Sequence, residues 1–496
     1  MTLKLTARWV LGFDGADHLL FEDGEVVVDG GRVLHVGHRS SAPADRHEDF
    51  GQALLAPGFV DLNALADVDT TILGFGGKIA PGAKAWSSEY AARPRDVLTP
   101  DQMLTAARGA FCQLMLSGIT TALPVTSLLF RQWAESGAEF DAIAGLAGEL
   151  GLRLFLGPSF RSHVNVMERD GRIGQVADEM SGLAGLAEAV AFIERNRGAH
   201  GGLVSGLLVP STIETCSDEL LLRTAEAAQS LDVPFRLHCC QSLTEADLIW
   251  KRSGKSSIAH LRDLGVLSER ALLPHAIDLG GPRADPALSE ADRAALAGSG
   301  ATVVHCPLVV GRGGRRLDNF ARFRDEGIRI AMGTDTAPPN MLMNLQIGLA
   351  MARMDEPEAT RPADYFRAAT LGGAQALGRP DLGRLEEGAA ADIVAWDLSA
   401  LDIQPVHDPV EALFLMPPGL RARHVWIAGR RVVSDGKIAG VDEARFAADM
   451  QAIFEQLRES YEERHQEGHS WPTLFPSAFP VRRKNETSKH WEGEHS

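Results

Sequence analysis

Short apolar runs alternate with longer segments of helical periodicity along most of this chain, and this alternation restricts the fold more than any other feature. The runs that read as buried parallel strands lie at 58–62, 118–125, 152–159, 206–211, 233–240, 271–279, 301–308 and 328–335. Helical patterns occupy intervening segments such as 100–118, 217–231 and 289–300. About eight strands separated by helices predict an α/β fold of the (β/α)8 TIM-barrel type. An open doubly wound sheet is the alternative, but it needs a glycine fingerprint in its first turn, and none is present.

Two further segments have the pattern of short antiparallel strands joined by tight turns. Residues 1–56 contain β-branched runs separated by Asp-Gly and Gly-Gly turns, and residues 384–440 contain similar runs with another Asp-Gly turn. Residues 441–470 are charged and helical in pattern, and the last stretch has little apolar periodicity.

Composition excludes several classes of partner. The net charge of −17 disfavours binding to nucleic acid, because phosphate recognition needs a basic surface. No run of 18 apolar residues is present, so we expect no membrane partner, and no signal-peptide pattern is found at the start of the chain. Five cysteines with irregular spacing argue against a disulfide framework and predict a cytoplasmic protein.

An ordered series of motifs resembles the amidohydrolase superfamily over roughly residues 1–440. The motifs are LAPGFVDLNAL (55–65), LTPDQMLTAARGAFCQLMLSGITTA (98–122), FRLHCC (235–240), ALLPHAIDL (271–279), VVHCPLV (303–309), IRIAMGTDTAP (328–338) and the segment 369–398. Within the superfamily, the chain resembles the branch of cytosine and guanine deaminases and triazine hydrolases, which includes chlorohydrolases. The resemblance implies a composite β-sandwich domain from 1–56 and 384–440, a barrel catalytic domain at 57–383, and a helical extension with a C-terminal tail at 441–496.

The resemblance also implies a catalytic centre at the carboxyl ends of the strands. His238, His275 and Asp335 match the family's fifth-strand histidine, sixth-strand histidine and eighth-strand aspartate. In the family, one zinc or iron ion lowers the pKa of a bound water, the aspartate accepts the proton, and the sixth-strand histidine orients the group under attack.

This sequence departs from the family pattern at three places. Asn63 and Leu65 replace the two first-strand histidines, and leucine has no donor atom for a metal. Gln241 stands where relatives usually carry a glutamate, and an amide can bind substrate but cannot shuttle a proton. Asp278 stands where relatives often have histidine or an aromatic residue, and an acid there suits a substrate with an amino or amidine group.

Two accounts of the missing histidines remain open from the sequence. Either His238, His275 and Asp335 alone hold the zinc or iron ion, or the metal is lost and Asp335 and His275 perform metal-free acid–base chemistry. The absence of two usual ligands argues against the metal.

Weaker signals surround the predicted centre. Arg161 and His163 follow the third strand and are candidate contacts for a carbonyl or anionic group of a substrate. His305 matches a family histidine at the seventh strand, and Asn63 is expected to line the same pocket.

The predicted function is hydrolysis of a C–N bond of a small nitrogen-rich heterocycle, by deamination or by the related dechlorination. The alternative is a catalytically retired homologue that binds a small ligand or pairs with an active paralogue. The intact set of His238, His275 and Asp335 favours an enzyme, whereas Asn63, Leu65 and Gln241 favour retirement. The resemblance makes a homodimer the expected oligomer.

Overall fold

A computed structural model describes residues 1–76, 79, 82–125, 131–317, 319–354, 356–417 and 419–481. The strands are β1 (Leu3–Phe13), β2 (His18–Asp29), β3 (Arg32–His38), β4 (Arg46–Asp49), β5 (Ala53–Pro57), β6 (Phe59–Leu65), β7 (Trp86–Ser87), β8 (Ile119–Val125), β9 (Arg153–Leu156), β10 (Ser159–Phe160), β11 (His163–Met167), β12 (Ile173–Ala177), β13 (Val204–Gly206), β14 (Val209–Pro210), β15 (Phe235–Arg236), β16 (Ala271–Pro274), β17 (Thr302–His305), β18 (Arg329–Met332), β19 (Ile393–Asp397), β20 (His424–Ile427), β21 (Arg430–Ser434) and β22 (Lys437–Ile438).

The α-helices are α1 (Ser88–Ala91), α2 (Pro100–Leu116), α3 (Gly137–Leu150), α4 (Glu179–Asn196), α5 (Ala199–Gly202), α6 (Asp218–Leu231), α7 (Leu243–Ser253), α8 (Ser257–Asp263), α9 (Pro286–Ser299), α10 (Pro307–Arg312), α11 (Phe320–Asp325), α12 (Met341–Ala352), α13 (Pro362–Arg367), α14 (Gly373–Ala376), α15 (Pro409–Leu415), α16 (Glu443–Glu459), α17 (Tyr461–Arg464) and α18 (Trp471–Leu474).

The barrel consists of two four-stranded parallel sheets that meet at both edges. One sheet has the order β13-β9-β8-β6 and the other has the order β15-β16-β17-β18. The main chains of Leu208 and Arg236 join β13 to β15, and the main chains of Asn63 and Asp335 join β6 to the segment after β18. The predicted TIM barrel is confirmed, and each of its strands lies within or beside a run predicted from the sequence.

Helix starts follow the capping residues that the sequence offers. Thr99 and Gln102 form a reciprocal capping box at the start of α2, and Ser217 accepts a hydrogen bond from the Leu220 amide at the start of α6. Helix α2 buries Ala110, Phe111 and neighbouring apolar residues against the barrel, which explains the period of its apolar positions.

Both ends of the chain contribute to one nine-stranded sheet outside the barrel. Its path runs β22-β21-β20-β19-β5-β1-β2-β3, with β4 paired to β1. Strand β5 runs antiparallel to β19, so residues 53–57 pair with residues 393–397 and join the two ends of the chain. This pairing lies immediately before the first barrel strand.

The C-terminal extension packs across the barrel rather than away from it. Ile453 and Leu457 of α16 join an apolar cluster with residues around the start of α2, and Leu474 and Phe475 join another with Leu73. The extension therefore covers the loop that follows β6. The end of the predicted tail, residues 482–496, lies outside the described residues, and within the described ranges no helix is long and apolar enough to cross a bilayer.

A buried ion pair connects the barrel to the nine-stranded sheet. Arg153 of β9 contacts Asp392, which precedes β19, and both side chains are almost completely buried. The second carboxylate oxygen of Asp392 accepts a hydrogen bond from the Ala428 amide at 2.8 Å. Removing one partner would leave the other charge without compensation in an apolar environment.

We expect Asp392→Ala to lower the free energy of unfolding by about 3 kcal/mol or more, because it leaves the buried Arg153 guanidinium without its carboxylate partner. Thermal and denaturant midpoints measure the loss. The matched control is Arg223→Ala, which removes an exposed arginine that pairs with Glu219 along α6 and should leave the midpoint nearly unchanged. Equal midpoints for both variants would contradict this role of the ion pair.

Candidate active site

Three side chains from separate strands converge at the carboxyl end of the barrel. His238 follows β15, His275 follows β16 and Asp335 follows β18. One ligand atom from each lies within 4.8 Å of those from the other two. His275 Nε2 is 3.9 Å from an Asp335 carboxylate oxygen, and the two imidazole centroids are 5.4 Å apart. The structure thus brings together the three residues that the sequence predicts as catalytic.

Unusual backbone conformations aim two of these side chains. His275 and Asp335 have φ values of 81° and 57°, in the left-handed region that side-chain-bearing residues rarely adopt. Main-chain hydrogen bonds to the Val304 and Asn63 carbonyls, at 3.0 and 2.8 Å, hold these conformations. Gly333 permits the close approach of the last strand to the first, because a Cβ there would lie 2.7 Å from that of Asn63.

Asn63 binds the Asp335 carboxyl group through a hydrogen bond and does not offer an imidazole ligand. Its Nδ2 donates to Asp335 Oδ1 at 2.7 Å, and its own Oδ1 is buried without a hydrogen-bond partner among the described residues. Leu65 is buried and apolar. The first strand therefore supplies one amide to the centre and no imidazole.

Burial sets the charge state of the centre. It lowers the pKa of His238 to about 4, with a further decrease from the Arg236 guanidinium, and it lowers the pKa of His275 well below its usual range. Burial also raises the pKa of Asp335 to about 8, and repulsion from Asp69 adds to this increase. Both imidazoles are neutral near pH 7, as metal ligation requires.

The donor set fits a metal ion with three protein ligands. His238 Nδ1 donates to the Ser211 carbonyl at 3.0 Å, which leaves Nε2 as the acceptor atom. His275 Nε2 is buried with no hydrogen-bond partner in the described part of the chain. Two neutral imidazoles and a carboxyl group are a common ligand set for zinc or non-haem iron.

Asp69 has a structural role beside this centre. One of its oxygens accepts hydrogen bonds from the Thr336 hydroxyl at 2.6 Å and the Ala337 amide at 2.8 Å, and the other accepts from the Thr71 amide. These bonds fix the segment after Asp335 and tie it to the loop that follows β6.

Two predicted substrate contacts are placed at the rim. The Gln241 side chain is exposed, and its main-chain amide donates to the Glu245 carboxylate at 2.7 Å. Asp278 forms an ion pair with Arg315, while its second oxygen is buried without a partner among the described residues. Their contact with substrate stays a prediction.

The other predicted contacts make bonds within the protein. Arg161 donates to the carbonyls of Gln132 and Arg131 and lies over the Trp86 ring. His163 contacts the Ser162 hydroxyl, and buried His305 contacts the Tyr365 hydroxyl at 3.3 Å. Substrate binding by Arg161, His163 and His305 stays a prediction, since each side chain already has a protein partner.

A cavity of about 320 Å³ is lined by residues that contact the centre, although His238, His275 and Asp335 are not part of its lining. Ser211 and Thr212, next to His238, form one wall, and Thr71, which contacts Thr336 at 3.1 Å, forms another. The remaining lining includes Lys84, Trp86, Arg161, Asn165, Glu214, Tyr461 and Arg464. This volume lies at the lower end of the usual range for small-molecule sites.

The sequence analysis missed the residues that shape this cavity. Tyr461 and Arg464 come from the C-terminal extension, and Tyr461 reaches the Thr70 hydroxyl at 2.9 Å. Glu214 lies in the turn after β14, within a segment that had no recognised motif. Arg236, fully buried in β15, donates to the carbonyls of Leu123 and Pro124. A charged residue in an otherwise apolar strand was the one signal available for Arg236.

Comparisons with known proteins identify the family and the fold of this chain. The model of the Amidohydrolase family matches residues 76–432, a span that begins after Asn63 and Leu65. A 5-methylthioadenosine/S-adenosylhomocysteine deaminase of Nitratidesulfovibrio vulgaris is 28% identical over 443 residues, which cover 87% of this chain and 92% of that protein.

Two solved structures share the fold. An adenosine deaminase from Xanthomonas campestris with bound zinc superposes with a TM-score of 0.74 at 23% identity, covering 92% of this chain and 98% of that one. A triazine hydrolase from Arthrobacter aurescens gives 0.71 at 23% identity, covering 91% and 99%. Deaminases and a triazine hydrolase are the relatives that the sequence motifs predict.

The three-residue donor set predicts a metal in protein purified without chelator. We expect about one equivalent of zinc or iron per chain by elemental analysis, and its loss in His238→Ala and in His275→Ala. His407→Ala, which changes an exposed histidine outside the barrel mouth, is the control and should retain the metal. Metal-free native protein, or unchanged content in both site variants, would rule out this donor set.

Proposed function

We propose that this chain, which belongs to the amidohydrolase family, hydrolyses a C–N bond of a small nitrogen-rich heterocycle. The reaction would take place at the centre formed by His238, His275 and Asp335. Deamination is the favoured reaction, and displacement of a chloride from the same kind of ring is the related one. The observation that carries the proposal is the convergence of three ligand atoms from three strand ends within 4.8 Å.

His238, His275 and Asp335 would hold the zinc or iron ion, with no contribution from Leu65. Such an ion supplies Lewis acidity and lowers the pKa of a water molecule towards neutrality. His238 is oriented for this task by its bond to the Ser211 carbonyl, and Asp335 by the Asn63 amide.

Asp335 is the group that moves protons. The Asn63 amide occupies Oδ1, so Oδ2 is the oxygen that faces His275. Burial raises the pKa of Asp335 to about 8, and a cation at the centre would favour the ionised form, in which Oδ2 accepts a proton from the water whose oxygen bonds to the ring carbon. The same oxygen then delivers the proton to the departing amine, which balances the hydrolysis. Burial of the centre keeps competing water away from this transfer.

Similarity supports the substrate class. The relatives and structural neighbours are deaminases of purine compounds and a hydrolase of triazines, and all of these substrates are flat rings rich in nitrogen. The lining of the cavity by Trp86 and Tyr461 suits such flat rings, since aromatic side chains offer flat apolar faces.

We expect ammonia release from at least one member of a panel of aminopurines, aminopyrimidines and aminotriazines, with chloride release assayed on chlorotriazines. Asp335→Asn should lower kcat by about 10²-fold or more, because the amide cannot accept the proton. Asp325→Asn, at an exposed position on α11, is the control and should keep native rates.

Two outcomes would contradict the proposed mechanism or the proposed activity. Activity that survives Asp335→Asn would remove Asp335 from the proton pathway. Binding of ring compounds without turnover by metal-loaded protein would favour the alternative of a retired homologue that binds a small ligand.

A further inference from the structure

Glu214 is a buried carboxyl group that the proposed hydrolysis does not use. It lies in a one-turn 3-10 helix, Ile213–Thr215, which follows β14 along the chain. Only 8% of the residue is exposed, yet it lines the cavity together with Ser211 and Thr212, which contact His238. A carboxyl group in such a position is costly to bury unless it binds something.

The carboxyl group of Glu214 is only partly satisfied by the protein. Oε1 accepts a hydrogen bond from Asn165 Nδ2 at 3.1 Å, whereas Oε2 is buried with no hydrogen-bond partner among the described residues. The Thr212 hydroxyl and the Arg252 guanidinium also favour the ionised form, but burial outweighs them and raises the pKa of Glu214.

The main chain around Glu214 is firmly held. Arg252 donates to the carbonyls of Glu214 and Cys216 at 2.8 Å each, and Gln175 Nε2 donates to the Glu214 carbonyl at 2.9 Å. The Arg252 guanidinium is thus bonded to main-chain carbonyls. These bonds hold the turn in place, so the position of the carboxyl group is preorganised for a ligand.

We propose that Glu214 recognises the substrate by binding an amidine-type N–H edge of its ring, meaning an amino group beside a ring nitrogen. This inference rests on the proposed function, and it names the part of the substrate that the cavity selects. An ionised carboxylate accepts two hydrogen bonds from a cationic amidine, and a protonated carboxyl group pairs with a neutral aminopyrimidine edge by donating one bond and accepting one. Both protonation states therefore select the same edge.

The other lining groups agree with this orientation. Trp86 and Tyr461 provide flat faces, while Lys84 and Arg161 add positive charge to the same cavity, and Arg161 lies near enough to Glu214 for the two charges to attract. A ring that carries both N–H donors and a carbonyl or ring-nitrogen acceptor matches a cavity lined by both signs of charge.

The affinity of the full-length protein for small ring probes, measured separately from turnover, tests the proposal. In isothermal titration calorimetry, native protein should bind 2-aminopyrimidine about tenfold more tightly than pyrimidine, and it should also bind benzamidine. Glu214→Leu should abolish the preference for 2-aminopyrimidine. Glu214→Gln should weaken benzamidine about tenfold and 2-aminopyrimidine much less, because an amide still offers one donor and one acceptor.

A second carboxyl group, outside the cavity, serves as the control. Glu226→Gln, on the exposed face of α6, should bind both probes as native protein does. If Glu214→Leu does not fold, the Glu214→Gln result decides alone. Equal affinities of native protein for pyrimidine and 2-aminopyrimidine, or native benzamidine affinity in Glu214→Gln, would overturn the proposal. Because these probes need not react, a failed hydrolysis screen leaves this result unaffected and counts against the proposed function alone.

Discussion

The junction between the first and last barrel strands is the interaction on which the site depends. Asp61 accepts hydrogen bonds from the Asn63 and Thr334 amides, each at 3.1 Å, and from the Thr334 hydroxyl at 2.6 Å. One residue further along, Asp335 donates its amide to the Asn63 carbonyl and receives the Asn63 side-chain amide. The same bonds close the barrel and hold the conformation of Asp335. The orientation of the catalytic carboxyl group therefore depends on closure of the barrel.

This junction concentrates negative charge, and the fold offsets it from inside the barrel. Asp61 is fully buried and Asp335 is mostly buried, and burial raises the pKa of Asp61 to about 6. The Arg236 guanidinium lies near both carboxyl groups and lowers their pKa values, while burial lowers its own pKa to about 10. The guanidinium itself donates to the carbonyls of Leu123 and Pro124. A cation at the mouth would complete this compensation, because the centre combines neutral imidazoles with a carboxyl group that is costly to ionise.

The sequence predicted the barrel and the catalytic trio because both follow from local patterns. Buried strands of a TIM barrel are continuous apolar runs, and residues just after them must meet at one end of the barrel, so the sequence alone places His238, His275 and Asp335 together. Glu214, Tyr461 and Arg464 could not be found in this way. Their roles depend on how a turn and a C-terminal extension pack over the mouth, and no periodicity in the sequence encodes that packing.

Asn63 and Leu65 set the contribution of the first strand to the centre. The Asn63 amide donates to Asp335 and leaves ligation of an ion to residues of other strands. Leu65 adds buried apolar surface. Three protein ligands would hold an ion without selecting a substrate, so selectivity between rings depends on the cavity wall. A buried carboxyl group such as Glu214, held by Asn165 with one oxygen unpaired, is well suited to supply it, since leaving that oxygen unpaired penalises every ring that lacks the matching N–H edge.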